Sequence, residues 1–275
     1  MEQNPERIKI LNKIKELEKN KLFDQDVEND PPCIPIKPGE VDYTRKKLSS
    51  KIKSKLADFI SFRYFKHKIR KKEIIIDDYK GIENLKSINS GAVITSNHFN
   101  PFDSIPIHIV CKKYKRKRQL FKVIKEGNYH FPGIYGYFMK NCYTMPLSSN
   151  HQVLKEMLNG VDEILKKGNF LLVYAEQYMW WNYRKPKPLK PGAFSFAAKA
   201  NVPVLPMFIT MRDTDKLDQD GFYVQAYTLN ILKPIYPKSE YSIKENIKYL
   251  MEENSREWKE IYEETYGIPL TYDED

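Results

Sequence analysis

The chain has 275 residues, 41% of them hydrophobic and 13% aromatic, with a mean hydropathy of -0.62. That length suits one large domain or two small ones, with room for a substantial core, and the composition is too apolar for wholesale disorder and too polar for a bundle of membrane spans. The formal net charge is +10, yet residues 44–72 alone hold twelve Lys or Arg against one Asp, so the remainder of the chain is nearly balanced.

Residues 5–20 predict a short charged helix, and residues 24–42 combine acids with four prolines, which makes an extended connector. In the basic segment that follows, Leu48, Ile52, Leu56, Phe59, Ile60 and Phe62 recur mostly three and four residues apart, the pattern of a helix with one apolar face. Such a basic amphipathic helix suits an anionic membrane surface, with Lys51, Lys55, Phe59 and Arg63 among the contacting side chains. Two other readings stand beside it: the stripe packs on its own domain, or the charge meets nucleic acid, for which no recognition motif is present.

From residue 73 short apolar runs alternate with helical patterns: EIIID, GAVITSN, LFKVIKE, NFLLVYAE and VPVLPMFIT. Strands interleaved with helices imply an α/β fold, a mixed and largely parallel sheet flanked by helices. Residues 151–167 carry a clear helical repeat ended by Gly168, residues 222–236 predict one or two more strands, and residues 242–265 a final helix. A second basic run at 112–119 reads as the solvated end of a helix or a contact for headgroups or carrier phosphates.

Cys33, Cys111 and Cys142 are too few and too scattered for a disulfide framework or a zinc knuckle, which favours a reducing compartment. The first twenty residues hold no apolar stretch of a secretory signal, and no segment reaches the ~20 apolar residues of a span. The expected location is cytoplasmic.

GxSxG, Walker, GxGxxG and HExxH signatures are all missing. What remains is GAVITSN running into HFNPFD, which places His98 and Asp103 beyond the carboxyl end of a strand, where open α/β sheets hold their sites. Five residues apart, the two would stand about 140° apart on a helix. Asn100 and Pro101 supply a turn and a helix start, with Asp103 in the opening helical turn. A carboxylate on one imidazole nitrogen leaves the other free to take a proton, the logic of a His-Asp general base. The plainer alternative is an Asp at a helix N-terminus beside a loop histidine. His108 lacks companions for a metal site, so no metal is expected. Tyr178, Trp180, Trp181 and Tyr183 cluster beside cations, and read as a membrane-facing loop, as core packing or as a stacking platform.

The stretch S-N-H-F-N-P-F-D at 96–103 resembles the NHxxxxD motif of the glycerolipid acyltransferases, the PlsC-like family that includes lysophosphatidate acyltransferases. Gly136 and Pro146 are similar in spacing to that family's second block, and Glu176 falls where its F-P-E-G-T-R block has Glu. Lys190, Gly192, Pro203 and Pro206 resemble the closing block. The resemblance covers roughly residues 75–210. It implies residues 73–275 as an acyltransferase domain of the glycerolipid acyltransferase fold; composition and periodicity divide the residues before it into an N-terminal helix and connector at 1–43 and a membrane-docking helix at 44–72.

The resemblance further implies that His98 deprotonates an acceptor hydroxyl, Asp103 orients His98, and the oxygen attacks a thioester of coenzyme A or acyl carrier protein. No bound cofactor is implied. Substrate contacts are expected from Asn97, Gly136, Glu176, Arg184, Lys190, Gly192 and Pro203, and membrane contacts from Trp180 and Trp181 in addition to the basic helix. The partners implied are an anionic membrane on the inner face of the cell, a lipid acceptor and, as one donor, acyl carrier protein. Two departures matter. Ser149 stands where the second block has Arg, and Gln177, Tyr178 and Met179 replace Gly, Thr and Arg of the third. Both arginines would clamp an acceptor phosphate. Arg184, Lys185, Lys187 and Lys190 are candidate substitutes, and a more neutral headgroup is the alternative. Rival functions are a silent membrane-associated binding protein, a nucleic-acid binder and an acyl-thioesterase.

Overall fold

Seven strands form one sheet in the computed structural model, which describes residues 2–28 and 33–272. In chain order they are β1 (Ile75–Lys80), β2 (Ala92–Thr95), β3 (Leu120–Lys125), β4 (Thr144–Leu147), β5 (Phe170–Val173), β6 (Val204–Leu217) and β7 (Tyr223–Ile231). The order across the sheet is β1-β7-β6-β2-β5-β3-β4. Every neighbouring pair is parallel except β6 and β7. The expected mixed, largely parallel sheet is therefore present. The stretch 222–236, expected as one or two strands, is a single strand followed by one bridge between Ile235 and Val204.

The helices are α1 (Pro5–Lys19), α2 (Leu48–Arg70), α3 (Ile82–Ser87), α4 (Ser104–Tyr114), α5 (Gly133–Asn141), α6 (His151–Lys166), α7 (Gly192–Ala200) and α8 (Ile243–Tyr266), with a 3-10 turn at Glu126–His130. Their ends follow local chemistry. Asn150 caps α6 by accepting from the amides of Gln152 and Val153, and Gly168 beyond it takes φ +81°. Ser242 and Glu245 form a reciprocal capping box at the start of α8.

Strands β2 and β5 are buried on every residue, as expected of parallel strands covered on both faces. Successive residues point to opposite faces, so the two large cores divide the same strands between them. Val93, Leu171 and Val204 join one core with Val153, Met157 and Val161 of α6 and Phe194 of α7. Ile94, Phe170, Leu172 and Leu205 join the other with Ile105, Ile107 and Val110 of α4 and Leu85 of α3.

The N-terminal region lies against this domain. Of the expected connector, residues 29–32 fall outside the described residues, while Ile36, Val41 and Tyr43 are buried in the first core. The Tyr43 hydroxyl donates to the carbonyl of Pro146 at 3.0 Å. Helix α1 and Val27 cover the loop after β5, burying Ile14 and Leu17 against Trp180.

Candidate active site

Strand β2 ends at Thr95, and β5, its parallel neighbour, ends at Val173 in register with it. The chain therefore leaves two adjacent strands side by side, carrying His98 from one and Tyr174 from the other. Asn97, one residue before, points into the protein. Its side chain donates to the Ile209 carbonyl at 3.0 Å and accepts from the Ile209 amide at 2.8 Å, which fixes the exit of β2 against β6.

His98 and Asp103 meet: Nδ1 stands 2.7 Å from Oδ2. The turn between them differs from the simplest expectation. Asn100 begins it, its Oδ1 accepting from the Phe102 amide at 2.9 Å, but regular helix starts only at Ser104, with Asp103 at the N-cap. Asp103 does not cap its own helix. Its Oδ2 turns back to accept from the amides of Phe99 and Asn100 at 3.1 and 3.3 Å, while Oδ1 accepts from the Tyr174 hydroxyl. The Tyr174 ring also stacks on the imidazole, with centroids 3.9 Å apart and planes 15° from parallel. With Nδ1 engaged, Nε2 is the nitrogen left for a reacting group.

Glu176 holds the backbone of this site. One carboxylate oxygen accepts from the His98 amide at 3.1 Å and the other from the Lys187 amide at 2.8 Å. The Lys187 ammonium is 3.6 Å away, and both side chains are buried. Burial pushes the Glu176 carboxyl up, while Lys187 and the two amide donors favour the carboxylate. Burial correspondingly pushes Lys187 down, against the pull of Glu176.

His98 and Asp103 open into a cavity of about 1080 Å³, walled by Phe62, Phe65 and Ile69 of α2, Phe102 and Ile109 from the α4 region, Phe138 and Met139 of α5, and Val173 to Ala175. Such a volume, mostly apolar with polar and charged groups from several elements, matches a small-molecule or lipid site. Lys66, Lys122, Lys125, Lys190 and Gly192 also line it. Lys125 pairs with Asp26 at 2.5 Å and Lys190 lies 3.9 Å from Asp24. Lys122 projects toward Ser104 Oγ at 3.4 Å, its ammonium pushed down by burial.

Other expected site residues lie elsewhere. Arg184 is paired with Asp213 at 2.8 Å and Gln225 at 3.0 Å on β6 and β7, outside the cavity wall. Lys185 is paired with Glu18 of α1 at 2.6 Å. Pro203 precedes β6 and its carbonyl accepts from Val93, so it sits at the amino ends of the strands, opposite His98. Gly136 lies within α5, where an added Cβ would fall 1.6 Å from the Phe131 carbonyl oxygen, so its role is to let the chain fold tightly beside the cavity.

Trp180 and Trp181 correct the picture of a membrane-facing loop. They are 0% and 6% exposed: Trp180 stacks with Phe23 and donates from Nε1 to Gln25, and Trp181 packs on Phe222 beneath Arg7. The N-terminal helix consumes that aromatic surface. On α2 the expected single apolar face is split. Leu48, Ile52, Leu56 and Phe59 are each more than half exposed, whereas Phe62 turns into the cavity wall. Lys51, Lys55 and Arg63 are exposed beside the outward stripe.

Comparison with known proteins accords with this geometry. Residues 78–210 match the family described as Acyltransferase. The chloroplastic 1-acyl-sn-glycerol-3-phosphate acyltransferase BAT2 of Brassica napus is 31% identical over 145 residues, 52% of this chain and 39% of that protein. The crystal structure of the 1-acyl-sn-glycerophosphate acyltransferase PlsC from Thermotoga maritima superposes with a TM-score of 0.51 at 22% identity, over 81% of this chain and all of that one. Residues 78–210 are thus similar to the Acyltransferase family, and the fold resembles that of PlsC. The chain spans about two-fifths of the length of its plant relative.

Within this matched segment the departures from the resembled blocks acquire a geometry. Gln177 takes φ +69°, a conformation natural to the glycine of the resembled block and costly for glutamine. Gln177, Tyr178 and Met179 line the cavity, whereas Ser149 is exposed away from it. Of the four cations considered as substitutes for the arginines, Lys190 alone reaches the wall. Lys125, at the carboxyl end of β3, was not anticipated. Its position at the end of the LFKVIKE run, beside another strand exit, was the available signal. Among the described residues no three His, Cys, Asp or Glu side chains are grouped to hold a metal.

Proposed function

We propose that this protein moves a fatty acyl group from a coenzyme A or acyl carrier protein thioester to the hydroxyl of a lysophospholipid or related glycerolipid, on the anionic inner face of the cell membrane. The observation that carries this reading is the 2.7 Å contact of His98 Nδ1 with Asp103 at the head of an apolar cavity of about 1080 Å³. The acceptor hydroxyl gives its proton to His98 Nε2 as its oxygen bonds to the thioester carbon. Asp103 favours the imidazolium that forms. The tetrahedral intermediate then expels the thiolate, which recovers the proton from Nε2. Catalysis comes chiefly from holding hydroxyl and thioester together.

The likeness to two 1-acylglycerol-3-phosphate acyltransferases supports an anionic acceptor. Lys125 and Lys190 are cations in the cavity wall suited to its phosphate, in place of the absent arginines. Membrane action is supported by the exposed Leu48, Ile52, Leu56 and Phe59 among lysines. No described helix is long and apolar enough to cross a membrane.

The test is a lipid-product assay by mass spectrometry. Purified protein receives acyl-coenzyme A or acyl carrier protein and a panel of lysophospholipids, glycolipids and glycerol phosphate, with His98→Ala in parallel. A His98-dependent acylated lipid is expected. Free fatty acid alone would indicate a thioesterase, and no turnover with any acceptor a silent binding protein.

A further inference from the structure

We propose that Tyr174 is a positioning residue for the base, the third member of a His98-Asp103-Tyr174 unit in which its hydroxyl holds Asp103 while its ring holds the imidazole. The inference rests on the reading of His98 as the base. Three observations on separate atoms support it. The Tyr174 hydroxyl donates to Asp103 Oδ1, leaving Oδ2 for His98 Nδ1 and two backbone amides. The phenol ring lies parallel to the imidazole at 3.9 Å, covering one face of it. The Ser104 hydroxyl also lies beside the phenol oxygen, and Lys122 approaches Ser104 Oγ at 3.4 Å, so polar groups continue from His98 toward β3.

These contacts make two separable contributions. Stacking restricts rotation of the imidazole about its side-chain torsions, which a lone carboxylate contact does not. The hydroxyl bond draws negative charge toward Oδ1, so Asp103 attracts a proton on His98 less strongly than a carboxylate without this donor. Burial, with the neighbouring Asp103 charge second, holds the phenol well above its ordinary range, so it remains a donor while His98 titrates. Other charged or titratable groups face this unit: Glu176 and Lys187 behind the His98 backbone, Lys122 from β3 and Tyr227 from β7. Besides His98, Tyr174 is the side chain bonded to Asp103 among the described residues. In the F-P-E-G-T-R block that the third segment resembles, this position is Phe, so the hydroxyl is a feature of this chain.

Tyr174→Phe keeps the ring and removes only the hydroxyl. The experiment is an NMR titration of His98 in histidine-labelled protein, assigned with His98→Ala, alongside the pH profile of acyl transfer. The His98 titration is expected to move to higher pH in Tyr174→Phe. A shift of one unit corresponds to about a tenfold loss of kcat/KM on the acid limb, recovering at alkaline pH where the base is free in both proteins. Ser104→Ala should shift His98 in the same direction by less, because it weakens the phenol as a donor; it serves as the second variant should Tyr174→Phe unfold. An unchanged His98 titration in a folded Tyr174→Phe, with or without a pH-independent loss of rate, would overturn the proposal. Should the wild type transfer no acyl group to any acceptor, the functional reading fails, while the NMR arm still decides whether Tyr174 sets His98.

Discussion

His98 Nδ1 and Asp103 Oδ2 lie 2.7 Å apart although only five residues separate them. No regular element allows this. The turn that starts at Asn100 reverses the chain before α4, and the carboxylate is anchored by two amides of its own loop and by Tyr174. Asp103 therefore stays in place without its histidine. Asp103→Asn is expected to keep the fold and reduce kcat by ~10² to 10⁴, since an amide can present the wrong hydrogen-bond partner to the imidazole. His98→Ala should abolish transfer. Both variants should bind vesicles as the wild type does, and wild-type turnover by His98→Ala would remove the mechanism.

The anchoring of α2 gives a pH-dependent prediction. Asp58 reaches from α2 to His108 Nε2 at 3.1 Å and Lys112 Nζ at 2.6 Å on α4. Burial raises the Asp58 carboxyl, but the adjacent His108 and the Lys112 hydrogen bond outweigh it and hold the group down at about 2. A depressed carboxyl contributes stability above its unfolded value of ~3.9 and loses it as pH falls toward 2. His108 is itself pushed down by burial, so its contribution begins to fade as pH drops below ~6.5, where the unfolded imidazole takes its proton first. Asp58→Asn should therefore cost about 1 to 3 kcal/mol near pH 7, with the difference from wild type shrinking toward pH 2. Thermal melts across that range would show it, and a constant difference would refute the assignment.

Much of this arrangement is legible from short-range pattern. The runs GAVITSN and NFLLVYAE specify β2 and β5 because both faces are buried, and the distance from GAVITSN to HFNPFD puts His98 at a strand exit. Long-range partners are not legible in that way. Trp180 and Trp181 beside lysines match an interfacial loop until α1, more than 160 residues earlier in the chain, is seen to cover them. Arg184 looks available for phosphate until Asp213 and Gln225 are placed beside it by β6 and β7. Lys125 and Tyr174 were hidden for the converse reason, since each is an ordinary strand-end residue until parallel pairing brings β3, β5 and β2 together.

The outward stripe of α2 predicts the mode of membrane association. Leu48, Ile52, Leu56 and Phe59 are 72%, 58%, 51% and 57% exposed, and the buried side of the same helix is made by Ser54, Ala57 and Ser61. Changes on the outer face should therefore leave the fold intact. Lys51→Ala with Lys55→Ala should weaken binding to vesicles containing phosphatidylserine about ten- to thirtyfold, from roughly 1 kcal/mol for each cation near the surface. Leu56→Asp with Phe59→Asp should weaken it further and also on neutral vesicles. Flotation assays at two salt concentrations separate the effects, and undiminished binding by both variants would show that α2 is not the docking element.

The acidic residues after α1 predict a competition at the cavity mouth. Asp26 lies 2.5 Å from Lys125 and Asp24 lies 3.9 Å from Lys190, the two cations assigned to an acceptor phosphate. An anionic headgroup must share or displace these carboxylates. Both pairs are partly exposed, so each contributes at most about 1 kcal/mol. Asp26→Asn should accordingly lower KM for a phosphate-bearing acceptor by about two- to fivefold, with kcat nearly unchanged because His98 and Asp103 are not touched. A neutral glycolipid acceptor should show no change. Equal KM values for the anionic acceptor in wild type and Asp26→Asn would place its phosphate away from Lys125.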